Sequence, residues 1–229
     1  MLERGFDILL SGLGLITSLP LWGLISLAIK LQDAGPVLYR QQRVGRDGRL
    51  FTGFKFRSMV PESDQKWGAL PAAANDPRIT RVGKLLRATA MDELPQLWNI
   101  WRGDMSFVGP RPEWVELVKR FRLEIPRFDL RHRVRPGLTG LAQVYGHSEM
   151  SRRNKLRYDV LYARRQSFWL DVRLVLLSFA VTFSGRWELR QAKFLRPRGR
   201  RYAKPSPAAA AWPAGSLLSK GLSQSRPSA

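Results

Sequence analysis

The longest uninterrupted apolar pattern lies near the start of the chain. Residues 8–29, ILLSGLGLITSLPLWGLISLAI, carry no charge, and such a run can cross a hydrocarbon core about 30 Å thick as a helix. It is too long for the apolar part of a signal peptide, and no small-x-small cleavage site follows. Pro20, near its centre, lacks an N–H and clashes with the carbonyl of Ile16, four residues back, which predicts a kink. The hydroxyls of Thr17 and Ser18 are candidates to satisfy the freed carbonyl, which is costly to leave unpaired in lipid. Arg40, Arg43, Arg46 and Arg49 follow the run, and by the positive-inside rule they mark the cytoplasmic side. On composition alone a spanning helix stands slightly ahead of a re-entrant one.

Beyond this run the period changes. Residues 37–39 and 50–56 are rich in β-formers and flank the turn-rich GRDG, the pattern of a small β-hairpin. NDPR at 75–78 reads as a turn. Residues 89–101 predict a helix, followed by the irregular RGDMSFVGPRP. Residues 113–121 place Trp114, Val115, Leu117, Val118 and Phe121 on one side of an amphipathic helix. RVRPGLTGLAQVYGH reads as a loop with a short extended piece. The stretch 168–183 is strongly apolar but interrupted by Asp171 and Arg173. Its uncharged part, 174–183, is too short to span and predicts a buried or interfacial helix. From Arg186 the chain turns basic, then rich in Ala, Pro and Ser, which reads as a disordered tail.

Charge narrows the class of partner. Lys and Arg number 39 against 18 Asp and Glu, a net charge of +21. Such an excess points to nucleic acid, anionic lipid or a phosphorylated substrate, or else to a solvated cationic face. The absence of cysteine excludes disulfides, thiolate chemistry and Cys-based zinc sites. The two histidines, His132 and His147, are too few for a His-based metal cluster. Eight tryptophans are many for the length and suit a membrane interface, where one side of the ring meets apolar matter and the other water.

In so basic a chain the adjacent acids Asp92 and Glu93 need an explanation, because neighbouring like charges oppose each other's ionisation. Taken with Thr89, Asp92 resembles a capping box, and acids in a first helical turn suit the helix dipole. On that segment alone capping is favoured over catalysis. The surroundings shift the balance: Lys55, Arg57, Arg78, Arg81, Lys84, Arg87 and Arg111 form a cationic series around the acids. Arginine matches phosphate oxygens in bidentate geometry. Carboxylates among phosphate binders suggest phosphoryl transfer, with Mg²⁺ bridging carboxylate and diphosphate, or an aspartate nucleophile.

Five blocks carry a resemblance: FDILLSGLGL, GPVLYRQQRVGRDGRLFTGFKFRSM, DPRITRVGKLLRATAMDELPQLWNIWRGDMSFVGPRP, RVRPGLTGLAQV and YDVLYARRQSFWLDVRLV. In order and spacing, over residues 3–185, the chain resembles the bacterial sugar transferases, the monotopic phosphoglycosyl transferases. The resemblance implies an α/β-mixed, helix-rich fold: an N-terminal re-entrant membrane helix (1–35), a catalytic domain with a small β-hairpin and interfacial amphipathic helices (36–185), and the tail (186–229).

It also implies a two-step reaction. Asp92 attacks a UDP-sugar and expels UMP. Polyprenyl (undecaprenyl) phosphate then takes the sugar-1-phosphate from the covalent phosphosugar-aspartate, initiating polysaccharide or glycoconjugate assembly. By the same resemblance Glu93 is the Mg²⁺ ligand, and Arg87, Arg111, Lys55 and Arg57 hold phosphate or nucleotide. The implied location is the cytoplasmic face of the bacterial inner membrane, among its lipids, with no nucleic acid.

The family breaks its membrane helix at a Ser-Pro pair. Here the pair is Leu19-Pro20, with Ser18 one residue early. Leu141 and His147 stand where the family has Trp and Arg. Asp104 reads as a turn residue and Asp171 as an ion-pair partner of a neighbouring Arg. Two other readings are a catalytically silent scaffold of the same fold and a membrane-anchored nucleic-acid binder; no zinc-finger, RNP or helix-turn-helix pattern supports the second.

Overall fold

The computed structural model describes residues 2–61, 63, 76–146 and 150–184. Asn75, His147 and the tail from residue 186 lie outside the described residues.

The apolar run forms helix α1, Leu2–Gln32, which continues through Pro20 as one element. The helix break expected at Pro20 is therefore not an interruption of the helix. Thr17 Oγ1 donates to the Leu13 carbonyl at 2.9 Å and Ser18 Oγ to that of Leu15 at 3.3 Å. Neither serves Ile16, contrary to expectation. The reason is geometric: a helical hydroxyl reaches the carbonyl three or four residues back. For Ile16 only positions 19 and 20 qualify, and these are Leu19 and Pro20. Ser18 instead accepts the indole N–H of Trp22 at 3.1 Å.

One face of α1 is held by the rest of the chain along its length. Arg4 donates to the carbonyls of Ile100 and Trp101, both at 2.6 Å. Asp7 and Ser11 are buried, as are Ile25 and Ile29, and Gln32 Oε1 accepts from Val82 N at 2.8 Å. The other face carries Leu9, Leu13, Ile16, Leu24, Leu27 and Leu31, all exposed. Their spacing of three, four and, between Ile16 and Leu24, eight residues places them in one stripe.

Strands β1 (Leu38–Val44) and β2 (Leu50–Phe56) pair antiparallel from Leu38↔Phe56 to Val44↔Leu50, the expected hairpin with a longer first strand. Helix α2 (Arg81–Ala88) is capped by Thr80, whose hydroxyl accepts from Gly83 N at 2.9 Å. Helix α3 (Gln96–Arg102) follows. The short strand β3 (Ser106–Val108) runs parallel to β4 (Gly137–Thr139). Between them lie helix α4 (Val115–Glu124), which buries Val118 and Phe121, and a 3-10 turn, Phe128–Arg133. A short helix α5 (Leu141–Tyr145), absent from the sequence reading, then buries Leu141 and Val144. Helices α6 (Arg152–Arg165) and α7 (Phe168–Ser184) complete the described chain. The fold is thus helix-rich α/β with one long apolar N-terminal helix and a small two-stranded hairpin.

The principal core gathers Ile100, Met105, Val108, Tyr162 and Leu174 around β3. β3 and β4 approach so closely that a Cβ on Gly137 would lie 2.0 Å from Gly109 N and 2.5 Å from Thr139 O. Backbone atoms cannot swing aside, so one strand must shift. Gly137→Ala is expected to lose on the order of 2 kcal/mol of stability. Thermal unfolding in detergent checks this, with a fall in Tm of roughly 4–8 °C.

Candidate active site

Asp92 and Glu93 sit on a 3-10 turn, Met91–Glu93, and not within the helix expected over 89–101. Thr89 donates its hydroxyl backwards, to the Leu85 and Leu86 carbonyls at 2.8 and 3.2 Å, so the capping box with Asp92 does not form. Ala90 takes φ 56°, ψ 15°, a left-handed conformation that costs a residue with a Cβ roughly 1–2 kcal/mol. Helix α3 starts only after Pro95. A proline cannot continue a helix from Met91 but suits a helix entry.

This turn buries Asp92, which is 8 % exposed, and aims both acids at β2. Lys55 on β2 places Nζ 2.5 Å from Glu93 Oε1 and 3.8 Å from Asp92 Oδ2. Arg111 Nη2 lies 2.9 Å from the same Glu93 oxygen. Both cations therefore hydrogen-bond Oε1, and among the described residues no hydrogen bond reaches Oε2.

The frame around these groups is rigid. Asn99 on α3, 0 % exposed, acts as a surrogate strand against β2. Its Nδ2 donates to Thr52 O at 2.8 Å and its Oδ1 accepts from Phe54 N at 3.1 Å. Arg111 follows β3, and its carbonyl accepts from Arg131 Nη2 at 2.7 Å. Arg131 is in turn fixed by a buried pair with Asp159 at 2.9 Å. Arg43 Nη1 donates to Pro112 O at 3.0 Å. An open cleft adjoins the two cations that hold the acids, lined by Lys55, Arg111, Arg43, Tyr39, Gln41 and Gln96.

Electrostatics separate the two acids. Burial pushes the Asp92 carboxyl up, Lys55 pulls it down, and Glu93 pushes it up again; the net direction is upward. Burial also opposes Glu93 ionisation, but Arg111 and Lys55 outweigh it and hold Glu93 down at about 2. At neutral pH Glu93 is a fixed anion, whereas the Asp92 carboxyl is desolvated and its charged form only partly balanced. Burial and neighbouring Arg111 lower Arg43 to about 10, so it stays cationic.

Of the residues expected from sequence, Lys55, Asp92, Glu93 and Arg111 come together. Arg87, exposed in the last turn of α2, favours Asp92 ionisation through space. Arg57 lies elsewhere: its buried guanidinium pairs with Asp33 at the end of α1, and a Cβ on Gly35 would collide with it. Arg78 pairs with Asp76 at 2.6 Å. Pro20 and Ser18 belong to α1. The sequence reading missed Asn99, Gln96, Gln41 and Arg43. A polar Asn99 and Gln96 amid Leu97, Trp98 and Ile100 was the available signal. Asp104 is a turn residue as expected, its backbone N–H donating to Asn99 O at 3.0 Å.

The model of the family described as bacterial sugar transferase matches residues 1–185. A Klebsiella pneumoniae protein named UDP-glucose:undecaprenyl-phosphate glucose-1-phosphate transferase is 44 % identical over 184 residues, covering 77 % of this chain and 39 % of that protein. An Aeromonas hydrophila protein named UDP-N-acetylgalactosamine-undecaprenyl-phosphate N-acetylgalactosaminephosphotransferase is 42 % identical over 187 residues, 80 % of this chain and 44 % of that protein. A Caulobacter vibrioides relative, named as a UDP-glucose:undecaprenyl-phosphate glucose-1-phosphate transferase, is 41 % identical over 179 residues, 76 % of this chain and 67 % of that protein. The chain thus spans about two fifths of the length of the first two. A match over residues 1–185, with the acid turn and its two cations inside it, means that the chain belongs to the bacterial sugar transferase family.

Proposed function

We propose that this chain transfers a sugar-1-phosphate from a UDP-sugar to polyprenyl phosphate, undecaprenyl phosphate in the relatives' names, and releases UMP. The observation that carries the reading is the buried Asp92 carboxylate beside Lys55, which lines a cationic cleft together with the arginine that clamps Glu93. In the first step an Asp92 oxygen attacks the β-phosphorus of the donor. The bond from that phosphorus to the oxygen bridging the two phosphates breaks, and UMP leaves with the electron pair. In the second step a phosphate oxygen of the polyprenyl acceptor attacks the same phosphorus, and Asp92 departs as a carboxylate. Lys55, Arg111 and Arg43 offset the charge that develops on the phosphoryl oxygens.

The donor set suits Mg²⁺. That ion keeps several waters and takes only one or two protein carboxylates besides substrate phosphates, and among the described residues no larger acidic cluster exists. Glu93 would hold it through Oε2, the oxygen that neither cation hydrogen-bonds. Bound there, Mg²⁺ would supply Lewis-acid stabilisation of the diphosphate.

The same reading places the chain on one side of a membrane, the cytoplasmic side marked by the arginines after α1. Its support is that α1 is held by the same body at Arg4 and at Gln32. A helix gripped at both ends cannot set those ends on opposite sides of a core about 30 Å thick unless the body crosses with it. The exposed leucine stripe of α1, the stacked pair Trp98 and Trp101, and Trp169, Leu176 and Phe179 of α7 supply apolar surface with aromatics suited to the interface. Re-entry or in-plane docking is thereby favoured over spanning.

The test is UMP release from detergent-purified protein given undecaprenyl phosphate, Mg²⁺ and a panel of UDP-glucose, UDP-galactose and their N-acetylated counterparts. Release with at least one donor, dependent on the lipid phosphate, is expected. Folded, membrane-bound protein that releases no UMP with any of them, and forms no phosphosugar adduct, would overturn the reading in favour of a scaffold.

A further inference from the structure

Tyr162 and Asp171 lie outside the cleft and have no part in the two steps above. The sequence predicts an arginine partner for Asp171; instead this acid is 3 % exposed, and its partner is Tyr162, itself 1 % exposed. Among the described residues no Lys or Arg forms an ion pair with it. Tyr162 Oη lies 2.8 Å from Asp171 Oδ1 and 3.1 Å from the carbonyl oxygen of Val108. Three oxygens in a row with two hydrogen-bonding contacts require two protons. The phenol supplies one and a carbonyl supplies none. With Asp171 ionised, the phenol would donate to it, and two bare oxygens, Tyr162 Oη and Val108 O, would face each other in a buried site.

We propose that Asp171 in the folded protein keeps its proton well into the pH range where a free carboxyl is ionised, and that the chain Asp171 O–H to Tyr162 O–H to Val108 carbonyl positions the Arg111 loop.

The surroundings agree. Burial, with a smaller push from Glu3 and Asp7 of α1, raises Asp171 to about 7 against the bond from Tyr162. Burial and Asp171 push the Tyr162 phenol far up, so it is never the anion. Arg4 and Arg135 lie toward Asp7. Val108 ends β3, and Arg111 follows three residues later. The strand's other end is tied to α1, where Asp7 Oδ1 accepts from Ser106 Oγ at 3.0 Å and Phe107 N at 3.1 Å. Tyr162 and Asp171 thus hold the side of β3 that leads to the Glu93 clamp, and act as positioning residues.

The sign of the pH dependence follows. A carboxyl whose folded pKa is raised gives its full stability below the ordinary carboxylate range and loses it progressively up to its folded value, here about 7. An asparagine in place of Asp171 would imitate the protonated acid, because its N–H₂ can donate to Tyr162. Asp171→Asn is therefore expected to match wild type in Tm only below the ordinary carboxylate range, and to exceed it by a margin that grows as pH rises to about 7 and is constant above. Infrared difference spectra should show a protonated carboxylic acid C=O band in wild type at mildly acidic pH that vanishes in Asp171→Asn. These two readouts do not depend on the proposed activity. An Asp171→Asn variant less stable than wild type at neutral and alkaline pH, or no such band, would overturn the protonation.

The positioning role rests on the proposed transferase reading and is tested separately. The ratio of Asp171→Asn to wild-type UMP release should rise roughly fivefold as pH passes through the titration, the weight of one buried hydrogen bond. Tyr162→Phe should lower kcat more than it changes KM. A flat ratio with the infrared band present would overturn the positioning and leave Asp171 a protonated structural acid.

Discussion

Replacing Asp92 with Asn is expected to abolish UMP release, by on the order of 10³-fold or more, while leaving the fold at least as stable as wild type. The first half follows from chemistry: a carboxamide cannot attack phosphorus and later leave as a carboxylate. The second half follows from the environment. Burial raises Asp92 above the ordinary carboxylate range, so the ionised form is less comfortable in the folded chain than in the unfolded one. That strain is absent at low pH and fully present above the folded pKa. A neutral isostere removes it, and Lys55 keeps Glu93 as its partner at 2.5 Å. Loss of turnover with an unchanged or raised Tm would mark Asp92 as a group held for chemistry at the expense of stability. Mass spectrometry after incubation with the active donor should find a phosphosugar adduct on Asp92 in wild type and none in the variant. Near-wild-type activity in Asp92→Asn would remove it as nucleophile.

How legible the site was depends on how local each determinant is. The hairpin is a short-range object, two β-forming runs around a GRDG turn, and its register follows from that turn. The apolar runs that became α1 and α7 were also plain. The helix expected over 89–101 failed because hydrophobic spacing outweighed a visible stop, Pro95 in its interior. A proline there removes the N–H that would continue the helix from Met91, and the chain makes a turn instead. The pairing of Lys55 with Glu93 spans 38 residues, and nothing short-range announces it. Lys55 and Arg57 sit two apart on the same basic segment, yet one reaches the acids and the other is buried against Asp33. Asp171 shows the same limit. An acid two residues from Arg173 reads as an ion pair, but the packing of α7 on β3 and α5 turns it toward the phenol of Tyr162 on α6.

Glu93→Gln separates the counter-ion role that the geometry shows from the metal-ligand role proposed for the same carboxylate. As a counter-ion, Glu93 neutralises Lys55, whose side chain is 22 % exposed, and Arg111, which is half exposed. Removing its charge leaves the less exposed cation poorly compensated and weakens two charge-assisted hydrogen bonds, a loss of about 1–3 kcal/mol. That loss has a defined pH window. Glu93 is held down at about 2, so its contribution is full above the ordinary glutamate range and disappears as pH falls toward that value. The Tm gap between wild type and Glu93→Gln should therefore close on acidification. As the proposed metal ligand, Glu93 would contribute through Oε2, and its loss should then raise the Mg²⁺ concentration for half-maximal activity and lower maximal UMP release by on the order of 10–100-fold. The two effects are measured independently, by thermal unfolding without metal and by Mg²⁺ titration of turnover. A variant that is destabilised but titrates with Mg²⁺ like wild type would make Glu93 a clamp for Lys55 and Arg111 and no ligand. Mg²⁺ would then have to be held by the diphosphate and Asp92, which cannot serve as ligand with the same oxygen that attacks phosphorus. A shifted Mg²⁺ response assigns the acids separate tasks, one oxygen attacking and its neighbour holding the ion, which accounts for adjacent carboxylates in a chain of net charge +21.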